Sequence, residues 1–480
     1  MSSPSSRLAA RAALLALLVV PVWGCSAGTE PGPPGGSGGG KPSPSSTTGT
    51  GREGLGDIFV GGRAVTGSKP SGNAKVPYRR TYVDGELYSA VTGYRSMAFS
   101  HMGLEGVYDG VLTGRPGDRK SGVGDVMTTI DPDVQRAAGD GLRGHKGAAV
   151  AMDAENGHLL ALVSAPSYDP SSFAGNTTAD AEAWQRLTGD QGKPLLNRAL
   201  REAVAPDETF EVVVAAAALE RGVYASVDES TRSPLPYALP GSGTELPSDP
   251  ARCRNASIRT ALRYSCRNVF MAMAVEVGQP RLVSTAKAFG FDDDALLVPV
   301  RVGRSDCPEG DVSERDAALI GTGRGGVTAT PVQMARVMAV IANGGKRVDP
   351  QLVSKVVHAD GRVEKPRRAA GAHADRVIGR RTAEQLQSAL KTSASGAVDG
   401  RRGAPGAMIG GRTGWVVPAR SYGDESSAWF ISYARSGQGR LVAFAVHVGD
   451  SADRADEADG ARPAVRVAER MSEAAAATRG

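Results

Sequence analysis

Nowhere near its N-terminus does this chain offer the roughly 20 consecutive apolar residues that a helix needs to cross a bilayer; the run from Ala12 to Trp23 falls short of that length. Histidine and cysteine are also scarce, six and four in 480 residues. The histidines, at 101, 145, 158, 358, 373 and 447, sit in no metal-ligand spacing, and there is no C-x-x-C or mixed Cys/His cluster, which argues against a metal centre. Each histidine reads as a surface or core residue. Aromatic residues make up only 5%, and the formal net charge of +5 is spread thinly. With no basic arm and no basic stretch interleaved with aromatics, a nucleic-acid partner is not expected. Nor is a cofactor: Gly321-x-Gly323-x-x-Gly326 matches the dinucleotide fingerprint letter for letter, but no preceding strand places it in a βαβ unit.

What is present begins with an export pattern. Arg7 and Arg11 precede the apolar run, which ends at Gly24-Cys25. This has the layout of a secretory signal. A small residue before cysteine at such a point resembles the lipobox of bacterial lipoproteins, although Trp23 is bulkier than usual there. The resemblance implies that residues 1–25 are a lipoprotein-type signal segment and that Cys25 carries a lipid; a cleaved secretory signal and an uncleaved anchor are the alternatives. Ser26 to Gly54 is almost entirely Gly, Ser, Pro and Thr, a composition too poor in apolar surface to offset the entropy of folding. It is expected to be a tether holding the folded domains off the outer face of the cytoplasmic membrane. In an exported chain the three remaining cysteines suggest one bridge and one spare thiol. Cys253 and Cys266 are nearest in sequence; Cys307 stays open as an alternative partner.

From Asp57 to Asp125 short β-like pieces alternate with turns, ending in Gly103-Leu-Glu-Gly106 and a short helix. Two apolar strand runs, Lys146 to Asp153 and His158 to Val163, then flank Asn156-Gly157, a strong hairpin signal. A long apolar run opens behind Pro206-Asp207-Glu208-Thr209-Phe210-Glu211 on the pattern of a buried helix. Further along stand Tyr264-Ser265-Cys266-Arg267, the glycine-rich turn at 321–326 with Thr330-Pro331, and Gly410-Gly-Arg-Thr-Gly414. In this order the landmarks resemble those of class B penicillin-binding proteins, from about Asp57 to Val448. The resemblance implies an α+β chain: a small mixed pedestal or dimerisation-like domain at 55–125, then at 126–480 a transpeptidase-like domain with a five-stranded antiparallel sheet flanked by helices.

The same resemblance exposes a loss. The family's Pro-Gly-Ser-Thr-Phe-Lys frame places its serine nucleophile and lysine base where this chain has Glu208 and Glu211. The asparagine of its Ser-x-Asn motif has become Arg267, with Ser265 in register, and its Lys-Thr-Gly strand reads Arg412-Thr413-Gly414. Acyl transfer needs a hydroxyl nucleophile and a neighbouring base. Thr209 has a hydroxyl, but one position along a helix turns it roughly 100° from the pocket. Acids in a first helical turn interact favourably with the helix dipole, and Asp207 suits a cap. Two acids and two arginines at the motif positions sum to zero, which predicts ion pairing of Glu208 or Glu211 with Arg267 or Arg412.

The expected protein is therefore a non-acylating member of the family, binding peptidoglycan stem peptides or β-lactams without a covalent bond, through Arg412, Thr413 and Ser265, or engaging proteins of cell-wall synthesis. The alternatives are an active D,D-transpeptidase with unusual catalytic residues, or a reversible sensor of β-lactams or muropeptides.

Overall fold

Five strands give the chain its frame: β1 (Lys146–Asp153), β2 (Leu159–Ala165), β3 (Met408–Val416), β4 (Ser427–Arg435) and β5 (Leu441–Gly449). The computed structural model describes residues 53–114, 122–242, 245, 251–365, 376–397, 406–416, 427–449 and 461–478. Cys25 and nearly all of the Gly/Ser/Pro segment lie outside these residues. Among the described residues no helix is long and apolar enough to cross a membrane.

The sheet runs β3-β4-β5-β1-β2, every neighbouring pair antiparallel, as the resemblance implied. The Asn156-Gly157 turn closes the β1–β2 hairpin. Asp153 Oδ1 accepts from the amides of Glu155 and Asn156 at 2.9 and 3.3 Å, and Gly157 (φ 79°) lies so close to the Asp349 carbonyl that no Cβ would fit.

Alternation along the strands feeds two apolar layers. Ala149, Ala151, Phe430 and Phe444 face one side, where helix α1 (Pro132–Leu142) packs. Val150, Met152, Trp429 and Ile431 face the other. There lie α2 (Glu211–Glu220), α3 (Ile258–Tyr264), α4 (Arg267–Val277) and α5 (Pro331–Ala342). Helix α6 (Arg380–Ala397) packs on α3 and β3, and α7 (Arg462–Ala477) returns to α1 on the first side. With both faces covered, β1, β2, β4 and β5 carry nearly continuous apolar runs, which is how they were legible.

A second five-stranded sheet runs Val363–Glu364, Val353–Val357, Asp125–Thr128, Ile58–Val60, Arg63–Ala64. The point between residues 125 and 126 thus falls inside a strand, and residues far along the chain complete the N-terminal sheet. Beside it the glutamate of Gly103-Leu-Glu-Gly106 is fully buried: Glu105 Oε1 meets Arg80 Nε at 2.6 Å, and Glu105 Oε2 accepts from Arg95 Nε at 3.2 Å. Cys253 and Cys266 are bridged, with Cα atoms 5.3 Å apart, leaving Cys307 as a buried free thiol whose pKa burial pushes up to about 12.

Candidate active site

Helix α2 is apolar on every side, and Glu211 to Ala218 are all buried, the mark of a helix through the centre of a core. A 3-10 turn, Asp207–Phe210, leads into it. That turn does not begin with an aspartate cap. Pro206 occupies the cap position with no side-chain bond, and Asp207 adopts φ 46°. Its frame position belongs to glycine in the resembling motif, and aspartate is among the few non-glycine residues that visit left-handed backbone. The Asp207 carboxylate is instead spent on Arg324 of the glycine-rich turn, Nε to Oδ1 2.8 Å. Gly323 packs directly on the Asp207 carbonyl, and a Cβ there would lie 2.0 Å from that oxygen.

Strand β3 lies against the same turn. The Cα of Gly414 has just room for this approach, since a Cβ would come within 3.2 to 3.3 Å of Thr209 and the Pro206 carbonyl. Thr209 is fully buried and its hydroxyl donates to Pro206 O at 2.5 Å, within the turn itself. Trp429 Nε1 donates to Ala205 O at 2.9 Å and fixes the other side of the turn to β4.

Glu208 and Glu211, three residues apart, present their carboxylates to one neighbour, Arg412 on β3. Arg412 Nη2 donates to Glu211 Oε2 at 2.5 Å and to Glu208 Oε2 at 3.1 Å; its Nε donates to the Glu208 carbonyl at 3.3 Å. Its Nη1 donates to Leu262 O at 2.9 Å and to Ser265 Oγ at 3.0 Å. A guanidinium has five N–H groups, and these five bonds use all of them. The Arg412 and Glu211 side chains are 2% and 0% exposed, whereas Glu208 is 21% exposed.

One carboxylate more than the guanidinium can neutralise is held here. Burial pushes the Glu211 pKa well above the usual glutamate range; Arg412 opposes this, and the Glu208 charge adds to it. Glu211 Oε1, also buried, has no hydrogen-bond partner among the described residues.

The remaining motif residues divide. Ser265, in left-handed geometry (φ 54°) at the end of α3, is drawn into the cluster. Its neighbouring cation is an arginine, which holds its proton at any relevant pH and cannot serve as a base. Thr413 is half-buried on β3 opposite Phe430. Arg267 opens α4 with its side chain exposed and reaches Glu211 through its charge, so Arg412 is the arginine that takes both acids. Arg324 was not picked out from the sequence as part of the site; its signal was its place inside the glycine-rich turn.

Comparison with known proteins agrees with this architecture. Residues 147–472 match the family described as penicillin binding protein transpeptidase domain, and residues 55–134 match the penicillin binding protein A dimerisation domain. The peptidoglycan D,D-transpeptidase PbpA of Mycobacterium tuberculosis is 32% identical over 434 residues, covering 85% of this chain and 86% of that protein. PbpA of Mycolicibacterium smegmatis is 33% identical over 439 residues, covering 85% and 86%. Among solved structures, PBPA from M. tuberculosis superposes with a TM-score of 0.77 at 30% identity, covering 88% of this chain and 99% of that one. Its penicillin G acyl-enzyme complex superposes with a TM-score of 0.76 at 30% identity, with the same coverage.

Proposed function

We propose, from the premise that this chain belongs to the penicillin-binding protein transpeptidase family of peptidoglycan synthesis, that it is a non-acylating pseudoenzyme working as a binding or regulatory module. The observation that carries this is the ion cluster. At the positions of the family's nucleophile and base stand Glu208 and Glu211, both held by Arg412. The homologous M. tuberculosis protein forms an acyl-enzyme with penicillin G; here a carboxylate attack would yield a mixed anhydride, and no amine is there to take a proton. Loss of a nucleophile in an unrelated hydrolase costs about six orders of magnitude in turnover, and a loss of that order is expected.

On this reading residues 55–125 act as a pedestal and 126–480 as a transpeptidase-like domain. Stem peptides or β-lactams would bind without a covalent bond along the Thr413 edge, since Arg412 is buried with every N–H engaged, one of them on Ser265, and neither is open to a ligand; cell-wall synthesis proteins are the expected macromolecular partners. Incubation with a reporter β-lactam and then intact-mass measurement should show no penicilloyl adduct. Stoichiometric acylation would overturn the reading, and mapping the adduct would test Ser265 first.

The location rests on the export pattern: the outer face of the cytoplasmic membrane, with the lipid on Cys25. Cys25→Ser should release the protein from the membrane fraction or leave its signal uncleaved. An unchanged fractionation and N-terminal mass would rule the lipid out.

A further inference from the structure

Beside the ion cluster, two arginines converge on one exposed ring. Leu262 and Ser265 both bond to Arg412, and the two residues between them, Arg263 and Tyr264, turn outward to solvent. The Arg252 guanidinium sits 4.5 Å from the centre of the Tyr264 ring and that of Arg263 sits 5.1 Å from it. Arg254, two residues after Arg252 in the chain, is exposed as well. Among the described residues no carboxylate lies within ion-pairing range of Arg252, Arg254 or Arg263. The platform is pinned: Cys253, between Arg252 and Arg254, is bridged to Cys266, and its carbonyl accepts from Asn268 Nδ2 at 3.0 Å.

A single cation over an exposed tyrosine is worth about 0.5 to 1 kcal/mol and needs no other purpose. Two cations sharing one ring, with a third on a rigid neighbouring turn, repel one another unless an anion joins them. We propose that this lip is a binding site for a linear polyphosphate chain. Guanidinium forks match phosphate oxygens two at a time and stack on aromatic faces while doing so. Charges set at successive points along the lip suit a chain that repeats its charge. A lipid surface suits the lip less well, because its aromatic ring is covered by guanidiniums and not free to insert. The site stands apart from the acylation question, since none of its three arginines belongs to the ion cluster.

The test is binding of labelled short-chain polyphosphate to the full-length protein, read by fluorescence anisotropy across a salt series. Three phosphate contacts on a flexible chain predict a log affinity against log salt slope of about −2. The double variant Arg252→Gln/Arg263→Gln should weaken binding roughly ten-fold or more and flatten the slope, with an unchanged melting midpoint showing that the fold persists. Tyr264→Leu, which keeps the charges, should weaken binding less. Absence of salt-dependent binding, unchanged affinity in the double variant, or equal affinity for polyglutamate would overturn the assignment to phosphate. Stronger arginine-dependent binding to phosphatidylglycerol vesicles than to polyphosphate would overturn the assignment to a polymer.

Discussion

At Arg412 five hydrogen bonds converge, and the two acids beneath it respond differently to its loss. Arg412→Gln strands a fully buried carboxyl and a second, partly exposed one. Breaking a buried pair in this way costs roughly 3 to 5 kcal/mol. Glu211→Gln should cost much less, because glutamine still accepts from the guanidinium and removes the group whose ionisation burial opposes. In a double-mutant cycle Glu211 and Arg412 should couple well above the ~1 kcal/mol of an exposed pair, and Glu208 with Arg412 more weakly. Additive single variants would disprove the pairing. The pH dependence has a definite sign. The folded-state pKa of Glu211 lies above its unfolded value, so its protonated form stabilises the fold below the usual glutamate range and that contribution is lost as pH rises through the folded value. The melting midpoint of Glu211→Gln relative to the unsubstituted protein should therefore rise with pH above about 4.3; a constant difference would refute it. Motif register made both acids and Arg412 legible in the sequence. Counting charges could not tell Arg412 from Arg267, because a sum of charges carries no direction. Asp207 was misjudged as a cap for a related reason: its backbone takes a glycine's path, and only the fold brings Arg324 to it.

Among the elements, the 3-10 turn before α2 depends on two close approaches, one from strand β3 at Gly414 and one from the glycine-rich turn at Gly323. The second is the stricter. Gly323 has φ 70° and no space for a Cβ, so Gly323→Ala should destabilise by about 1 to 3 kcal/mol and shift the turn that holds Glu208. Gly414→Ala needs the neighbours to give by only a few tenths of an ångström, and should cost less. Equal melting midpoints for the two variants would contradict this ranking. Strands β1, β2, β4 and β5 were readable from apolar runs and the Asn-Gly turn. Strand β3 was not, because Gly410-Gly-Arg-Thr-Gly414 is poor in β-formers; it is a strand by virtue of its pairing with β4 and was found only through the motif.

Across the molecule, the change of composition near residue 125 and the pairing of strands follow different rules. Local pattern marks where composition changes, but strand Val353–Val357 pairs with Asp125–Thr128 from more than two hundred residues away, and long-range pairing leaves no local trace. Residues 126–480 produced alone would lose the parallel partner Ile58–Val60 and expose a strand edge. That fragment should melt at lower temperature than residues 51–480 and associate with itself; identical melting and a monomeric state would show the N-terminal sheet to be dispensable.

The ion cluster also constrains how this lineage can change. Restoring lysine at Glu211 alone would set it beside Arg412 with only the half-open Glu208 to balance two cations, and restoring serine at Glu208 alone would leave the acyl-transfer base missing. On the proposed non-acylating reading each first step is silent in chemistry, and the lysine step is unfavourable in charge as well, so the two positions are epistatic and selection for acylation has no graded path back.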